Sequence, residues 1–192
     1  MVSSSMSGQV GPVPVLTPDD LEAHIATEGI AAQLVRGLGD TSTVPLAAAA
    51  LGVEAHQIIK SLLLLVRLPD RPASPQPVLV IIDGRHRVDR RAIAAHFGVS
   101  RKRVRLASAD EVLAVLGYPA GGVPPFGHRT KVSAIMDAAL LALQPSDRAT
   151  VYGGGGDEST MLETTVAELL RVVQPEILSV SSVQASGEAE TG

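Results

Sequence analysis

The stretch IIKSLLLLV, residues 58–66, is the densest apolar run of the chain, and VLVII follows it at residues 78–82. Both runs are rich in Leu, Val and Ile and are apolar on both faces, which is typical of central β-strands covered on two sides. Residues 67–77 between them contain four prolines and predict a connecting loop. Lys60 and Ser61 interrupt the first run, which is too short to span a bilayer. The two runs therefore predict the middle of a sheet inside a globular domain.

Weaker patterns on either side predict the remaining elements. Thr17, followed by Pro18 and two aspartates, is a strong helix start, and we expect this helix to run to about Arg36. A second helix, at residues 47–51, is predicted to stop at Gly52. Later helices are predicted at residues 90–97, at 109–116 and after a capping box at 165–168, and strands at 104–107, 132–136, 149–153 and 160–164. Helices and strands are mixed without strict βαβ alternation, which favours an α+β fold with a mixed sheet.

Length and composition are those of one globular domain. The chain has 192 residues, 45% of them hydrophobic and 19% charged, which excludes a disordered or collagen-like protein. We expect one domain at residues 17–180 between mobile tails at residues 1–16 and 181–192. There is no Cys, which excludes disulfides, thiolate nucleophiles and Cys-containing zinc sites. No basic segment followed by an apolar stretch opens the chain, so we expect a cytoplasmic protein without membrane contact.

The net charge of −4 is unevenly distributed. Residues 85–105 carry a net charge of +7, because eight cations face a single acid, Asp89. Such a segment suits a polyanion, of which nucleic acid is the commonest, and the alternative is a solvated helix face and loop. The candidate contacts to a polyanion are Arg85, Arg87, Arg90, Arg91, Arg101, Lys102 and Arg103.

Common catalytic signatures are missing from the sequence. It contains no GxSxG, HExxH or GxxxxGK[ST] motif, and its five histidines are far apart, so we expect neither a metal nor a cofactor. Four glycines at residues 153–156 resemble a phosphate loop, but Asp157 and Glu158 follow at once and would repel phosphate. We therefore predict a flexible turn between strands, with backbone that could approach a ligand.

Lys60 is the most informative single residue. Alternation places it on one face of its strand with Leu62, Leu64 and Val66, where a buried ammonium needs an anion or a carbonyl as partner. It either reaches along the apolar surface to solvent or lies at the mouth of a pocket, where it binds a phosphate or a carbonyl oxygen. Ser61 points to the other face, where we expect a structural role.

Four segments resemble the YbaK/EbsC group of aminoacyl-tRNA editing domains, which includes the editing domain inserted in bacterial prolyl-tRNA synthetases. The segments are QIIKSLLLLV, LVIIDGRHRVDRRAIAAHFG, KRVRLASADEVLAVLGYPAGGVPPFGH and SAIMDAALL, and the resemblance covers about residues 40–175. Its most specific piece, GGVPPFGH, lies in an irregular glycine- and proline-rich loop of the kind that often binds ligands. The resemblance implies a largely antiparallel central sheet covered by helices.

The resemblance also implies a function. We expect a free-standing trans-editing deacylase that hydrolyses the ester of a mischarged tRNA carrying a small amino acid, with tRNA-Pro as one candidate. Its partners would be that tRNA and an aminoacyl-tRNA synthetase, and it would be a monomer or weak homodimer. Lys60 matches the family's active-site lysine, and Gly121 and Gly122 would bring backbone N–H groups to the reacting carbonyl. The candidates for substrate binding are Val123, Pro124, Pro125, Phe126, Gly127, His128, Tyr118, Asp137 and Gly154.

Several of these candidates have a structural alternative. Tyr118 and Phe126 either stack on the terminal adenine or pack in the core, and His128 either contacts substrate or closes the loop. Asp137 matches a family acid but could equally cap a helix at residues 138–143.

The late glycines also depart from the family pattern. Gly154 and Met161 stand where cysteinyl-tRNA editing members have Ser and Asp, which argues against Cys specificity. The departure leaves a non-catalytic module that binds tRNA, a nucleotide or a protein as the alternative function.

Overall fold

The computed structural model describes residues 14–71, 73–143 and 149–183. The helices are α1 (Pro18–Glu28), α2 (Val44–Leu51), α3 (Arg90–His96), α4 (Ala109–Leu116) and α5 (Val166–Val173). The strands are β1 (Gln33–Val35), β2 (Ile59–Val66), β3 (Gln76–Asp83), β4 (His86–Val88), β5 (Val104–Leu106), β6 (Ser133–Asp137), β7 (Thr150–Gly154), β8 (Met161–Thr165), β9 (Glu176–Leu178) and β10 (Ser181–Val183). Within the described residues, no helix is both long and apolar enough to cross a membrane.

The two apolar runs form the middle of a five-stranded sheet with the order β5-β2-β3-β6-β9. Strands β2 and β3 are antiparallel over their full length, and β5 is antiparallel to the last part of β2. Strands β6 and β9 join in parallel, so the sheet is mixed. The predicted α+β fold with a mixed sheet is confirmed.

Both faces of this sheet are buried, as the apolar runs predict. Leu63 and Ile81 lie in a core cluster that includes α1, α4 and α5, whereas Leu64, Val80 and Ile93 lie in a second cluster under α3. Adjacent residues of one strand thus enter different cores, because side chains alternate across a strand. This explains why β2 has no polar side chain after Ser61.

Two smaller sheets complete the fold. Strands β1, β8 and β7 form an antiparallel sheet, and β10 pairs with β4. The pairing of Ser181–Val183 means that strand structure extends past residue 180, where the sequence predicted the start of a tail. At the other end, the N–H of Leu16 donates to the carbonyl of Gly117. The remainder of the predicted tails, residues 1–13 and 184–192, lies outside the described residues.

The first helix is shorter than predicted. Thr17 forms the expected capping box, but the helix ends at Glu28 because Gly29 adopts a left-handed conformation with φ of 59° and donates to Ile25. The predicted continuation to Arg36 is wrong, since residues 33–35 form β1 beside β8. The other predicted helices and strands are confirmed to within a few residues, including the helix that ends at Gly52 and the helix capped by Asp89.

Candidate active site

Lys60 lies near the start of β2, beyond the end of β5, which pairs only with residues 64–66. Its Nζ donates to the carbonyl oxygen of His86 at 2.8 Å. The side chain is half-buried, and this burial lowers the pKa of Lys60 from its ordinary value, while the carboxylate of Asp83 opposes the shift. Lys60 thus has the carbonyl partner that a buried ammonium requires, and this hydrogen bond holds its ammonium group in place.

A cavity of about 550 Å³ opens beside this part of β2. We call it the central cavity; its walls are the start of β2, the segment Thr41–Ala47 that opens α2, and the glycine-rich loop. Of the predicted site residues, the structure brings Lys60, Gly121, Val123, Gly154 and the cation Arg85 to this cavity. Residues from four separate parts of the sequence therefore meet at one place.

The two glycine-rich segments pack backbone against backbone. The N–H of Gly156 donates to the carbonyl of Gly122 at 2.8 Å. A Cβ on Gly154 would lie 2.6 Å from the carbonyl carbon of Gly122, and a Cβ on Gly122 would lie 2.7 Å from the nitrogen of Asp157. The glycines at residues 153–156 therefore hold the binding loop in place, a more constrained role than the flexible turn predicted from sequence.

The loop presents selected backbone donors. The N–H of Gly122 is taken by the carbonyl of Pro119 at 3.1 Å, so it is not available to a substrate, contrary to its predicted role. Within the described residues, the N–H groups of Gly121 and Val123 have no hydrogen-bond acceptor. These two groups are the loop donors that a ligand carbonyl could use.

The second half of the loop faces away from the central cavity. Pro125, Phe126, Gly127 and His128 line a separate cavity of about 370 Å³ beside α1 and α5. The ring of His128 bonds through Nε2 to the carbonyl of Pro124 at 2.8 Å, and burial lowers the pKa of His128. His128 therefore closes the loop on itself, which is the structural alternative considered above.

Tyr118 and Asp137 have structural roles. Tyr118 is fully buried, and its hydroxyl donates to the carbonyl of Gly127 at 3.2 Å, so it offers no face for stacking on an adenine. Phe126 is likewise buried in the core. The carboxylate of Asp137 accepts from the N–H of Ala139 at 2.9 Å and from that of Val180 at 2.8 Å. It caps the 3₁₀ helix at residues 138–143, as its alternative predicts, and joins that helix to the link between β9 and β10.

The basic segment divides into paired and unpaired cations. Arg85 is held by Asp83 at 2.6 Å, Arg105 by Glu111 at 2.6 Å, and Arg103 donates to the carbonyl of Arg67. Within the described residues, the other predicted contacts have no side-chain partner and are exposed; they are Arg87, Arg90, Arg91, Arg101 and Lys102. A polyanion would therefore meet five cations without a side-chain partner, whereas the sequence predicts seven candidate contacts.

Sequence reasoning missed part of the cavity wall. Thr43 caps α2, and Val44 and Met161 line the cavity with it. The sequence does contain a signal for the start of α2, because a Thr with a Pro two residues later, here Thr43 and Pro45, is typical of a helix start. Ser61 also lines the cavity, and its hydroxyl is buried without a hydrogen-bond partner among the described residues. The site thus combines one ammonium, loop N–H groups and a largely apolar wall, which suits binding of a small carbonyl compound.

Comparisons with known proteins identify the family of this chain. A family model described as the aminoacyl-tRNA editing domain matches residues 39–172. The multifunctional Ser/Thr-tRNA deacylase ProXp-y of Escherichia coli K12 is 33% identical over 104 residues, which are 54% of this chain and 59% of that protein. The chain thus spans less than two thirds of the curated deacylase. The proline–tRNA ligase of Limosilactobacillus fermentum is 31% identical over 101 residues, 53% of this chain and 17% of the ligase.

Solved structures show the same fold. The crystal structure of the hypothetical protein APE2540 superposes with a TM-score of 0.72 at 34% identity, covering 85% of this chain and 99% of that one. The structure described as "a putative trans-editing enzyme for prolyl tRNA synthetase" gives a TM-score of 0.73 at 26% identity, covering 91% and 99%. Since the family model matches well over half of its residues, this chain belongs to the aminoacyl-tRNA editing domain family, as the resemblance predicted.

Proposed function

We propose that the protein is a free-standing deacylase that hydrolyses the ester between a small amino acid and the terminal adenosine of a mischarged tRNA. The observation that carries the proposal is the half-buried Lys60 ammonium in the wall of a cavity that the glycine-rich loop closes. The curated relative from Escherichia coli is named a Ser/Thr-tRNA deacylase, which supports this assignment. A protein with this activity would work in the cytoplasm, where charged tRNA is found.

In the proposed reaction, water adds to the ester carbonyl carbon and the bond from that carbon to the ribose oxygen breaks. The ribose oxygen takes up a proton, and the amino acid leaves as a free acid. Lys60 would hold the carbonyl or the adjacent phosphate, and the N–H groups of Gly121 and Val123 would stabilise the oxyanion. The protein supplies charge, donors and exclusion of solvent, while the substrate's own groups help to activate the water.

The cavity wall favours a small amino acid. Ile58, Leu62, Val123 and Met161 line it with apolar groups. Its polar residues include Ser61, whose buried hydroxyl has no hydrogen-bond partner among the described residues. We propose alanine or serine as the edited residue, carried on tRNA-Pro. An apolar pocket separates near-isosteres by only about 10- to 200-fold, so activity toward both is expected.

A panel of mischarged tRNAs tests this proposal. We expect the protein to remove alanine and serine from tRNA-Pro at least ten times faster than the uncatalysed loss, and to act less well on cysteine. Correctly charged prolyl-tRNA is the matched control, and its ester should persist. Ester loss at the uncatalysed rate for every amino acid would contradict the proposed activity.

Gly154 and Met161 favour a second candidate, a module that binds RNA without hydrolysing it. A serine at position 154 does not fit this loop packing, because its Cβ would contact the backbone of Gly122. RNA binding without any deacylation in the same panel would favour this candidate. Sedimentation with and without a prolyl-tRNA synthetase would test the proposed partner and the expected monomer or weak homodimer.

A further inference from the structure

A buried carboxylate holds the turn that joins β3 to β4. Asp83 is the last residue of β3 and is 2% exposed. Its carboxylate accepts hydrogen bonds from the backbone N–H of Arg85 at 2.8 Å and from the Arg85 guanidinium at 2.6 Å. Burial would raise the pKa of Asp83, but these hydrogen bonds and the charge of Arg85 lower it below its ordinary value. Asp83 therefore keeps a negative charge inside the protein at neutral pH.

The turn itself is closely packed. The N–H of Gly84 donates to the carbonyl of Ile58 at 2.7 Å. A Cβ on Gly84 would lie 2.8 Å from that carbonyl oxygen and 2.9 Å from the side chain of Val44. The turn is thus held between the residue that precedes β2 and the start of α2, and Gly84 and Arg85 line the central cavity. The position of the next residue, His86, is therefore set by this turn.

His86 connects the turn to Lys60. Its carbonyl oxygen accepts from the Lys60 Nζ at 2.8 Å. Its ring Nδ1 lies 3.7 Å from the carboxylate of Asp83, and this nitrogen is buried without a hydrogen-bond partner among the described residues. One residue thus contacts the ammonium through its backbone and lies next to the carboxylate through its ring. A displacement of Asp83 would therefore move the group that anchors Lys60.

The charge of Asp83 also acts on Lys60. Burial lowers the pKa of Lys60, the charge of Asp83 raises it, and the charge of Arg87 lowers it further. The other charged or titratable side chains around the ammonium are Arg85, which Asp83 holds, and His86 and Arg90, which line the surface groove next to Lys60. Among the described residues that line the central cavity, neither the start of α2 nor the glycine-rich loop adds a charge. Asp83 is therefore the carboxylate that offsets the desolvation of this ammonium.

We propose that Asp83 is a positioning residue for the reaction: it holds the turn whose carbonyl anchors Lys60, and its charge balances the Lys60 ammonium. Asp83 is buried and does not line the central cavity, so it would act on a substrate only through Lys60. The inference rests on the proposed function, in which the ammonium must be charged to hold the ester carbonyl or the phosphate.

The first test reads the ammonium directly. The chain has three lysines, so NMR of the full chain labelled with ¹³C-lysine gives few signals, and the Lys60 signal is the one that Lys60→Ala removes. We expect Lys60 to titrate below the ordinary lysine value. Asp83→Asn should lower its measured pKa by about one pH unit, the lower end of the effect of one nearby opposite charge.

Two further variants make this titration specific. Asp89→Asn removes the same charge from the N-cap of α3, where asparagine caps equally well, and should leave the pKa of Lys60 unchanged. Arg85→Ala removes the cation that neutralises Asp83, and it should raise the pKa of Lys60. The side chain of Arg85 is half-exposed, so this variant keeps the test decisive even where Asp83→Asn does not fold.

The second test reads the reaction. Single-turnover deacylation, corrected for uncatalysed ester loss, should slow at alkaline pH as Lys60 loses its proton. In Asp83→Asn this decline should begin about one pH unit lower, because the variant lacks the charge that keeps Lys60 protonated. Asp83→Ala also removes the acceptor that holds the turn, and should reduce the rate at pH 7 about tenfold or more. Asp89→Asn should follow the wild type throughout.

The outcomes separate the two proposals. A Lys60 pKa that neither Asp83→Asn nor Arg85→Ala changes, or one that Asp89→Asn lowers equally, would overturn the inference. Deacylation with a wild-type rate and pH profile in a folded Asp83→Asn protein supports the reaction and contradicts the role of Asp83. The expected shifts of the Lys60 pKa in a protein that deacylates no tRNA support the coupling of Asp83 to Lys60 and contradict the proposed reaction.

Discussion

Lys60 is one of three lysines in a chain with 13 arginines, and it sits where its carbonyl partner can hold a compact ammonium. A lysine places a point charge on a flexible stem, whereas an arginine presents a planar fork of donors. The bond to His86 leaves other ammonium hydrogens for a ligand, since an ammonium has three donors. At the residue scale, the cavity combines this ammonium with glycines whose missing side chains let two loops touch.

The close approach at Gly154 gives a prediction at this scale. Gly154→Ala should lower the free energy of unfolding by about 1–3 kcal/mol, because its Cβ would overlap the backbone of Gly122 and Val123. Gly153→Ala is the matched control, since the three atoms nearest to its Cβ would all belong to side chains, the first of them Ile59 at 3.3 Å. Urea unfolding of both variants measures the difference. Equal stability of the two variants would mean that the loops are not held by this contact.

The sequence predicts individual residues unevenly. Lys60, Gly121, Val123 and Gly154 line one cavity. Pro125 and the residues after it line another cavity. The sequence does not predict this, because a glycine- and proline-rich loop has no period from which the direction of a side chain can be read. The carboxylate of Asp137 is oriented by hydrogen bonds from two backbone N–H groups, one of them 43 residues away in the sequence. Sequence spacing does not reveal such a contact.

At the scale of elements, α5 begins differently from its sequence pattern. Thr165 accepts from the N–H of Glu168, but the carboxylate of Glu168 does not complete the predicted capping box. It accepts instead from the N–H of Ala31 at 2.7 Å and from Arg171 at 2.6 Å. Because the N–H of Ala31, just after α1, donates to this carboxylate, Glu168 links α5 to the end of α1, although the two are far apart in sequence.

This link predicts that the free energy of unfolding depends on pH. The hydrogen bonds from Arg171 and from the Ala31 N–H lower the pKa of Glu168 to about 2, from an ordinary value of 4.5. The carboxylate therefore stabilises the fold fully above pH 4.5, and this contribution disappears as the pH falls toward 2. Glu168→Gln should lower the free energy of unfolding at pH 7 by about 1–2 kcal/mol, a modest value because solvent screens the half-exposed Arg171.

Urea unfolding at pH 7 and at several values between pH 5 and 2 checks this prediction. The wild type should lose its advantage over Glu168→Gln as the pH falls through this range. Glu28→Gln, on the exposed face of α1, is the control and should follow the wild type. A constant difference between wild type and Glu168→Gln at every pH would contradict the role of the carboxylate.

At the scale of the whole molecule, α1 belongs to the same core as the binding loop although it precedes the matched residues 39–172. Leu21 is fully buried, and the rings of His24 and Phe126 lie 6.2 Å apart. A Cβ on Gly127 would lie 3.0 Å from Leu21, so the helix packs directly under the loop. The N-terminal helix therefore supports the site from behind.

Leu21→Ala tests this support. The substitution should lower the free energy of unfolding by about 2–5 kcal/mol, because it removes a fully buried side chain and leaves a cavity. Leu46→Ala, at a position that is 44% exposed, should cost less than half as much. Thermal unfolding followed by circular dichroism compares them. Equal melting temperatures for the two variants would show that α1 is not part of the core.

The arrangement of the central sheet was easier to predict from the sequence than the residues at which individual helices and strands end. Apolar runs that are covered on two faces identify β2 and β3 as central strands without any tertiary information. The end of α1 was missed because Gly29 is tolerated inside many helices, and only its left-handed backbone marks a stop. The strand at residues 181–183 has no apolar pattern of its own and forms because β4 offers it an edge.

Single-turnover deacylation of seryl- and alanyl-tRNA-Pro by the wild type, Lys60→Ala and Lys131→Ala tests the central claim most directly. We predict that Lys60→Ala reduces the rate at least about 100-fold, the typical effect of removing one electrostatic contact to the developing charge, while its unfolding stays cooperative. Lys131→Ala removes an equal charge outside the central cavity and should keep the wild-type rate. A wild-type rate in Lys60→Ala would contradict the claim that this ammonium anchors the reaction.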